Sequence, residues 1–204
     1  MTENKTRFDA AAAEWDKSQT RVNMATKITS QIIKNIPLQS SHTVMDFGCG
    51  TGLVGLNIAP LVAKLVGADL SSEMLKNFEA KANEQQLGNV DIMELSADPH
   101  LGEGEYDAIV SAMTVHHIEK PSELFARFAQ AVKSGGYLGV ADLAKEDGSF
   151  HSDNTGVYHF GFTPEEFSGF FTKNGFEKPY ITVAHTIDRP HKSFDILFCY
   201  AKKL

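Results

Sequence analysis

Three glycines at alternate positions, Gly48, Gly50 and Gly52, stand between a short β-type run, Thr43 to Phe47, and an apolar helical stretch, Leu53 to Ala59. Glycine adopts backbone angles that other residues resist and lets a backbone approach a ligand closely. A strand, a glycine turn and a helix in that order therefore place a bend at the carboxyl edge of an open α/β sheet, where ligands bind. A glycine trio alone is equally consistent with a plain tight turn, so the surrounding pattern has to decide.

That pattern is an alternation of strands and helices. Lys64 to Asp69 reads as a second strand, and Ser71 as the cap of a helix carrying Met74, Leu75, Phe78 and Ala82. Val90 to Leu95 and Tyr106 to Ser111 supply two more strands. Pro121 opens a helix with Leu124, Phe125, Phe128 and Val132 on one face, and Gly135-Gly136 ends it before the strand Tyr137 to Ala141. The polar segment Lys145 to Gly161 is long for a connection and is a candidate lid. Thr163-Pro164-Glu165-Glu166 carries the signature of a capping box, ahead of Phe167, Phe170 and Phe171. Two β-rich runs, Tyr180 to Thr186 and Phe194 to Tyr200, close the chain with too few residues between them for a parallel crossover, so one strand is expected to be antiparallel. Ahead of all this, Phe8, Ala11, Ala12 and Trp15, then Val22, Ala25, Ile28, Ile32 and Ile36, predict two helices. The expectation is a helical cap segment over 1–40 and one compact α/β domain over 41–204, with a mostly parallel sheet covered on both faces.

Composition narrows the partners. With 19 Lys and Arg against 26 Asp and Glu, the net charge of −7 removes the long-range attraction on which nonspecific nucleic-acid binding depends. No stretch approaches the ~18 consecutive apolar residues of a membrane span. The polar start, Met1 to Arg7, lacks a secretory pattern, and Cys49 and Cys199 are far apart without metal-type spacing, which suits reduced thiols in a cytoplasm. Oligomeric state is not readable.

Asp69 falls nineteen positions after Gly50 at the end of the second strand. A carboxylate there can accept two hydrogen bonds from a vicinal diol, as in nucleoside-binding sheets, and can also complement the following helix dipole. The two roles are compatible. Leu53 occupies the position where the dinucleotide fingerprint requires glycine, which disfavours a nicotinamide dehydrogenase.

These features resemble the class I S-adenosylmethionine-dependent methyltransferases. Asp46-Phe47-Gly48-Cys49-Gly50-Thr51-Gly52 looks like their first motif, Gly67-Ala68-Asp69-Leu70-Ser71 like the acidic second, and Tyr106-Asp107-Ala108-Ile109-Val110-Ser111 like the fourth-strand motif. Glu146 to His151, Gly156-Val157-Tyr158-His159, Gly161-Phe162 and the opening Phe8-Asp9 through Trp15-Asp16 are similar to a bacterial and archaeal small-molecule-type branch. The resemblance implies a Rossmann-like seven-stranded, mostly parallel sheet with one antiparallel strand, helices on both faces and an N-terminal helical extension. It implies S-adenosyl-L-methionine as methyl donor and S-adenosyl-L-homocysteine as product. Gly48 and Gly50, with Cys49 between them, would line the methionyl part, and Asp46 would balance the amino group and sulfonium. Asp69 would hold the ribose and Leu70 cover the adenine. Ser111 would complete the floor beneath the methyl group. The usual Gly-Asp-Ala adenine motif is replaced by Leu95-Ser96-Ala97-Asp98, with Asp98 as the candidate adenine contact.

On the acceptor side, His116 and His117 follow the fourth strand, where an imidazole can take a proton from a hydroxyl or amine acceptor, or else simply hydrogen-bond the loop. Trp15, Tyr158 and His159 are candidate walls of the substrate cleft. His151, His159, His185 and His191 match no compact ligand spacing, so no metal is expected. Neither the Asn/Asp-Pro-Pro-aromatic signature of amino-group methylation nor the Pro-Cys nucleophile of cytosine-carbon methylation is present. The function expected is methyl transfer to a small molecule by in-line displacement; a protein that binds the nucleoside without turnover is the alternative.

Overall fold

The β-type runs form one sheet in the computed structural model, which describes residues 2–96 and 98–204; Met1, and Ala97 of the replaced adenine motif, lie outside the described residues. The strands are β1 (Thr43–Phe47), β2 (Lys64–Asp69), β3 (Val90–Glu94), β4 (Tyr106–Ala112), β5 (Val132–Leu143), β6 (Tyr180–Arg189) and β7 (Lys192–Lys202). Their spatial order is β3-β2-β1-β4-β5-β7-β6. The first five pair in parallel, while β7 runs antiparallel to both β5 and β6. β1 lies at the centre, with Val44 in register with Leu65 on one side and Ala108 on the other. Covered on both faces, it is buried from Val44 to Phe47 and so reads as a continuous apolar run interrupted only by Asp46.

Helices occupy both faces: α1 (Thr2–Ala11), α2 (Gln19–Asn35), α3 (Gly55–Ile58), α4 (Ser72–Glu84), α5 (Pro121–Ala131) and α6 (Pro164–Thr172). Ile28 and Ile32 of α2, with Ile36 just beyond its end, pack with Phe78 of α4 on one side of the sheet. Phe125 and Phe128 of α5 pack with Phe167 and Phe171 of α6 on the other. The helix starts form as their sequences dictate. The Ser71 hydroxyl accepts from the Met74 amide at 3.1 Å, and Thr163 and Glu166 make the reciprocal capping box.

Three boundaries differ from the sequence expectation. The helix after the glycine turn is only Gly55–Ile58 and tightens into a 3-10 turn over Ala59–Leu61, because Pro60 has no amide to continue the ladder. The segment carrying Trp15 is a 3-10 turn, Ala12–Lys17. β5 begins at Val132, before the glycine pair, and reaches its main register through a shift between Tyr106 and Ala108 of its partner; a Cβ at Gly136 would lie 2.8 Å from the Asp107 carbonyl oxygen, so only glycine fits there.

Parallel strands deliver the turns after β1, β2 and β4 to a single sheet edge. The N-terminal segment is fastened across that edge. Asp9 Oδ1 accepts from the Ser71 hydroxyl at 2.5 Å, and Asp16 accepts from the Thr51 hydroxyl and the Lys81 ammonium, both at 2.6 Å. Asn4 donates to the Gly156 carbonyl at 3.1 Å and Arg7 to that of Thr155 at 2.5 Å, which joins α1 to the segment 145–161.

Phe125 is fully buried among Phe128, Phe170 and Phe171, with ring centroids 5.2–5.8 Å apart. Phe125→Ala is expected to lower the unfolding free energy by about 3–5 kcal/mol, read as a reduced urea midpoint at unchanged slope.

Candidate functional site

The turn after β1 is held by its neighbour strand. The amides of Gly48 and Cys49 both donate to the Ala68 carbonyl, at 2.7 and 3.0 Å. Gly48, Gly50 and Gly52 all have positive φ, at 71°, 52° and 87°. At Gly48 glycine is demanded twice over, because a Cβ would also stand 2.2 Å from the Thr114 hydroxyl oxygen. Asp69 then clamps the turn: its Oδ2 accepts from the Gly50 amide at 2.8 Å and its Oδ1 from the Ser71 amide at 2.9 Å. Burial raises the Asp69 carboxyl pKa, opposed by these amides and that of Leu70.

Asp46 is 1% exposed, and its Oδ2 has no hydrogen-bond partner among the described residues. Burial pushes its pKa up to about 7, against the Gly55 amide and with a further push from the Asp69 charge. Cys49 is likewise buried, and burial first, then the nearby Asp46 and Asp69 charges, keep its thiol protonated.

A cavity of about 1030 Å³ opens at this edge. Asp46, Gly48, Cys49, Gly50, Asp69 and Leu70 line it at the glycine end, and Trp15, Tyr158, His116 and His117 line it elsewhere, so these sequence candidates share one space. Asp98 stands at the rim with its carboxylate on the Arg127 guanidinium and its side chain 83% exposed.

Two candidates fall elsewhere. Ser111 is not part of the lining: its hydroxyl donates to the Phe47 carbonyl at 2.9 Å inside the sheet, while the following residues, Ala112, Met113 and Thr114, face the cavity. Met113 adopts a left-handed conformation at φ 55°, with its amide on the Ala141 carbonyl, and this turns the chain across the strand ends in a way no strand alternation would show. His159 also misses the lining; its Nε2 lies 3.3 Å from the Glu119 carbonyl and its ring packs on Phe162.

A third histidine joins the pair from the segment expected as a lid over the cleft, at a distance along the chain that no ligand spacing marks. His151, from the segment 145–161, brings its Nε2 to 3.2 Å from the Nε2 of His116, and its ring also packs beside His117. His116 Nδ1 sits 2.6 Å from Asp142 Oδ1, both groups being fully buried. Burial alone would raise the Asp142 carboxyl, but the imidazole beside it and the amides of Leu143 and His116 hold it below the usual carboxylate range. His117 Nδ1 lies 2.8 Å from the Gly156 carbonyl, which assigns the proton to Nδ1 and leaves the Nε2 lone pair free. Burial, then the neighbouring His116, lower His117 to about 3; burial, His116 and the Arg7 charge lower His151 to about 4. Both rings are therefore neutral at pH 7.

Sheet order, glycine turn and facing acid together define the class I methyltransferase fold. Residues 45–140 match the family model described as a methyltransferase domain. An uncharacterized methyltransferase of Schizosaccharomyces pombe is 31% identical over 155 residues, covering 68% of this chain and 55% of that protein. A ubiquinone biosynthesis O-methyltransferase of Albidiferax ferrireducens is 29% identical over 113 residues, covering 54% and 45%. The chain spans about half the length of these curated relatives. In fold, it matches a SAM-dependent methyltransferase from Aquifex aeolicus at a TM-score of 0.71 and 19% identity, over 96% of this chain and 98% of the other. The domain match, the relatives and the shared fold support a class I S-adenosylmethionine-dependent methyltransferase.

Gly48→Ala is expected to cost more than about 1 kcal/mol of stability, since both φ and the Thr114 contact oppose a side chain. Gly88→Ala, where an added Cβ meets nothing within 4 Å, should stay within about 0.5 kcal/mol of the parent in the same denaturation series.

Proposed function

We propose that the chain transfers the methyl group of S-adenosylmethionine to a small-molecule acceptor, with residues 1–40 acting as a cap over a catalytic domain at 41–204. The observation that carries this reading is the orphaned Asp46 oxygen, in a cavity that continues from the Asp69 clamp to the neutral imidazoles of His117 and His151. A buried carboxyl oxygen with no partner is costly unless a ligand answers it. A ligand with a cationic amino group and sulfonium is of the right charge, and each Asp69 oxygen keeps a lone pair for a ribose hydroxyl after accepting its backbone amide. When bound, S-adenosylmethionine supplies an activated methyl on sulfonium.

The chain's own task is positioning. Asp46 orients the cationic end, Asp69 fixes the diol and Leu70 covers the base. Across the cavity, in the chain without a bound ion, His117 accepts a hydrogen bond at Nε2 from an acceptor O–H or N–H. A ring that stays neutral down to about pH 3 is a weak base, so the role assigned to His117 is orienting rather than proton abstraction. Aligning acceptor, carbon and sulfur in line supplies much of such a barrier without any base. The ubiquinone biosynthesis O-methyltransferases among the relatives and the net negative charge support a small acceptor over a nucleic acid.

Asp69→Ala is expected to weaken S-adenosylmethionine binding at least about tenfold in calorimetry, the scale of a lost charged hydrogen bond; unchanged affinity sinks the ribose assignment. Formation of S-adenosylhomocysteine with a metabolite extract distinguishes an enzyme from a nucleoside-binding protein. Asp46 sets the pH dependence. In the free chain it keeps its proton up to about pH 7, so affinity for the cationic ligand should rise as pH increases through about 7 and level off above it, and Asp46→Asn should flatten that profile. The same shift makes the free chain less stable as pH rises from about 3.9 to about 7, because across that window the folded state retains a proton that the unfolded chain releases.

A further inference from the structure

We propose that His116, His117 and His151 form a three-histidine site for a zinc-type divalent ion at the acceptor end of the cavity. One ring nitrogen from each lies within 4.8 Å of the other two. Zinc–nitrogen bonds of 2.0–2.1 Å in a tetrahedral site put two ligating nitrogens about 3.3 Å apart; His116 Nε2 and His151 Nε2 are 3.2 Å apart. Small rotations of the half-buried His117 and His151 rings complete the arrangement.

The surroundings point the same way. A metal-binding histidine characteristically donates its other ring N–H to a carboxylate or a backbone carbonyl, which fixes the tautomer. His116 does so to Asp142 and His117 to Gly156. Asp142 is in turn held by the amides of His116 and Leu143, so the carboxylate is built in and not a rotating surface group. An all-imidazole set selects zinc or a neighbouring transition ion over magnesium or calcium, which require oxygen ligands.

Three protein ligands leave a fourth position. It faces the cavity that all three histidines line. The guanidiniums of Arg7 and Arg189 lie near His151 and oppose positive charge there. With Asp142 the one carboxylate hydrogen-bonded to the cluster among the described residues, they favour an anion as the fourth ligand, either hydroxide or an ionised oxygen or sulfur of the acceptor.

The site does not depend on the methyl-transfer reading, and zinc binding can be measured with no nucleoside present. Calorimetric titration of the chain, freed of any affinity tag and of metal, with zinc chloride is expected to give one tight equivalent, and Co²⁺ in its place the visible bands of a four-coordinate ion. His151→Ala, in the half-buried segment, should weaken zinc binding at least 100-fold. Asp142→Asn should weaken it about 10- to 100-fold while leaving all three rings in place. Because substitutions at the buried His116 or Asp142 can unfold the chain, His151→Ala decides, with its thermal unfolding in chelator required to match the parent. Zinc binding that survives His151→Ala unchanged would place the ion on a surface histidine and overturn the proposal, as would absence of binding by the parent chain. Zinc binding lost in His151→Ala, in a chain that fails to bind S-adenosylmethionine, would leave this site standing and remove the function proposed above.

Discussion

The Asp69 carboxylate is the joint on which the sheet edge depends. It ends β2, yet it accepts from the Gly50 amide in the turn after β1 and from the Ser71 amide at the start of α4. Two donors that would otherwise be orphaned by a strand-to-helix bend are thereby satisfied by one side chain. A turn of three left-handed glycines has a high entropic cost to order, and a buried carboxylate that grips its middle amide opposes that freedom directly. The same carboxylate keeps lone pairs toward the cavity, so the residue that shapes the turn also faces whatever the turn binds.

The N-terminal segment is held by two more acids. Asp9 reaches the first turn of α4, and Asp16 bridges Thr51 and Lys81. Each ties the N-terminal segment to the glycine turn or to the helix behind it. That segment is also attached to the Leu70 carbonyl and Glu94 through Lys5, and to backbone carbonyls of 153–156 through Asn4 and Arg7. Gly156 sits at the crossing: its carbonyl also takes the His117 proton, and its φ of 72° belongs to the left-handed region. The N-terminal segment, the polar segment and the histidine pair thus converge on a single peptide group.

Much of this was legible in the sequence because it is local. The glycine turn, the capping Ser71, the capping box at Thr163 and the amphipathic stripe of α2 are all encoded within a few residues of one another, and the short link before Phe194 fixed the antiparallel hairpin. Asp69 could be placed because strand order in such a sheet makes its spacing from Gly50 meaningful. What spacing could not carry was long range or conformational. His151 joins His116 across 35 residues of chain, through a fold of the polar segment that no periodicity marks. Ser111 was assigned to the cavity by assuming that β4 simply ends there; its hydroxyl instead bonds Phe47, and the positive φ of Met113 passes the lining role to Ala112 and Thr114. His159, one residue beyond Tyr158, faces away because its amide is tied, with that of Tyr158, to the His116 carbonyl and its ring turns to Phe162.

Asp142 and Asp46, both deeply buried, are held on different terms. Asp142, on β5, is answered within the protein: His116 donates to it, and the pair satisfies itself out of water. Asp46, on β1, has a histidine cluster in the same cavity but pairs with none of it, and its Oδ2 accepts no bond among the described residues. Breaking the first pair would strand a buried charge, which costs several kcal/mol, so the arrangement around Asp142 is locked. The need of Asp46 can be met only from the cavity, and with a carboxyl poised near neutrality the cost of meeting it is small. One end of the space thereby presents an unpartnered carboxyl oxygen, while the other presents the imidazoles of His116 and His117, whose Nδ1 atoms are tied to Asp142 and Gly156. A ligand entering such a space has one orientation that satisfies both ends, and that polarity is fixed by strand order before any ligand arrives.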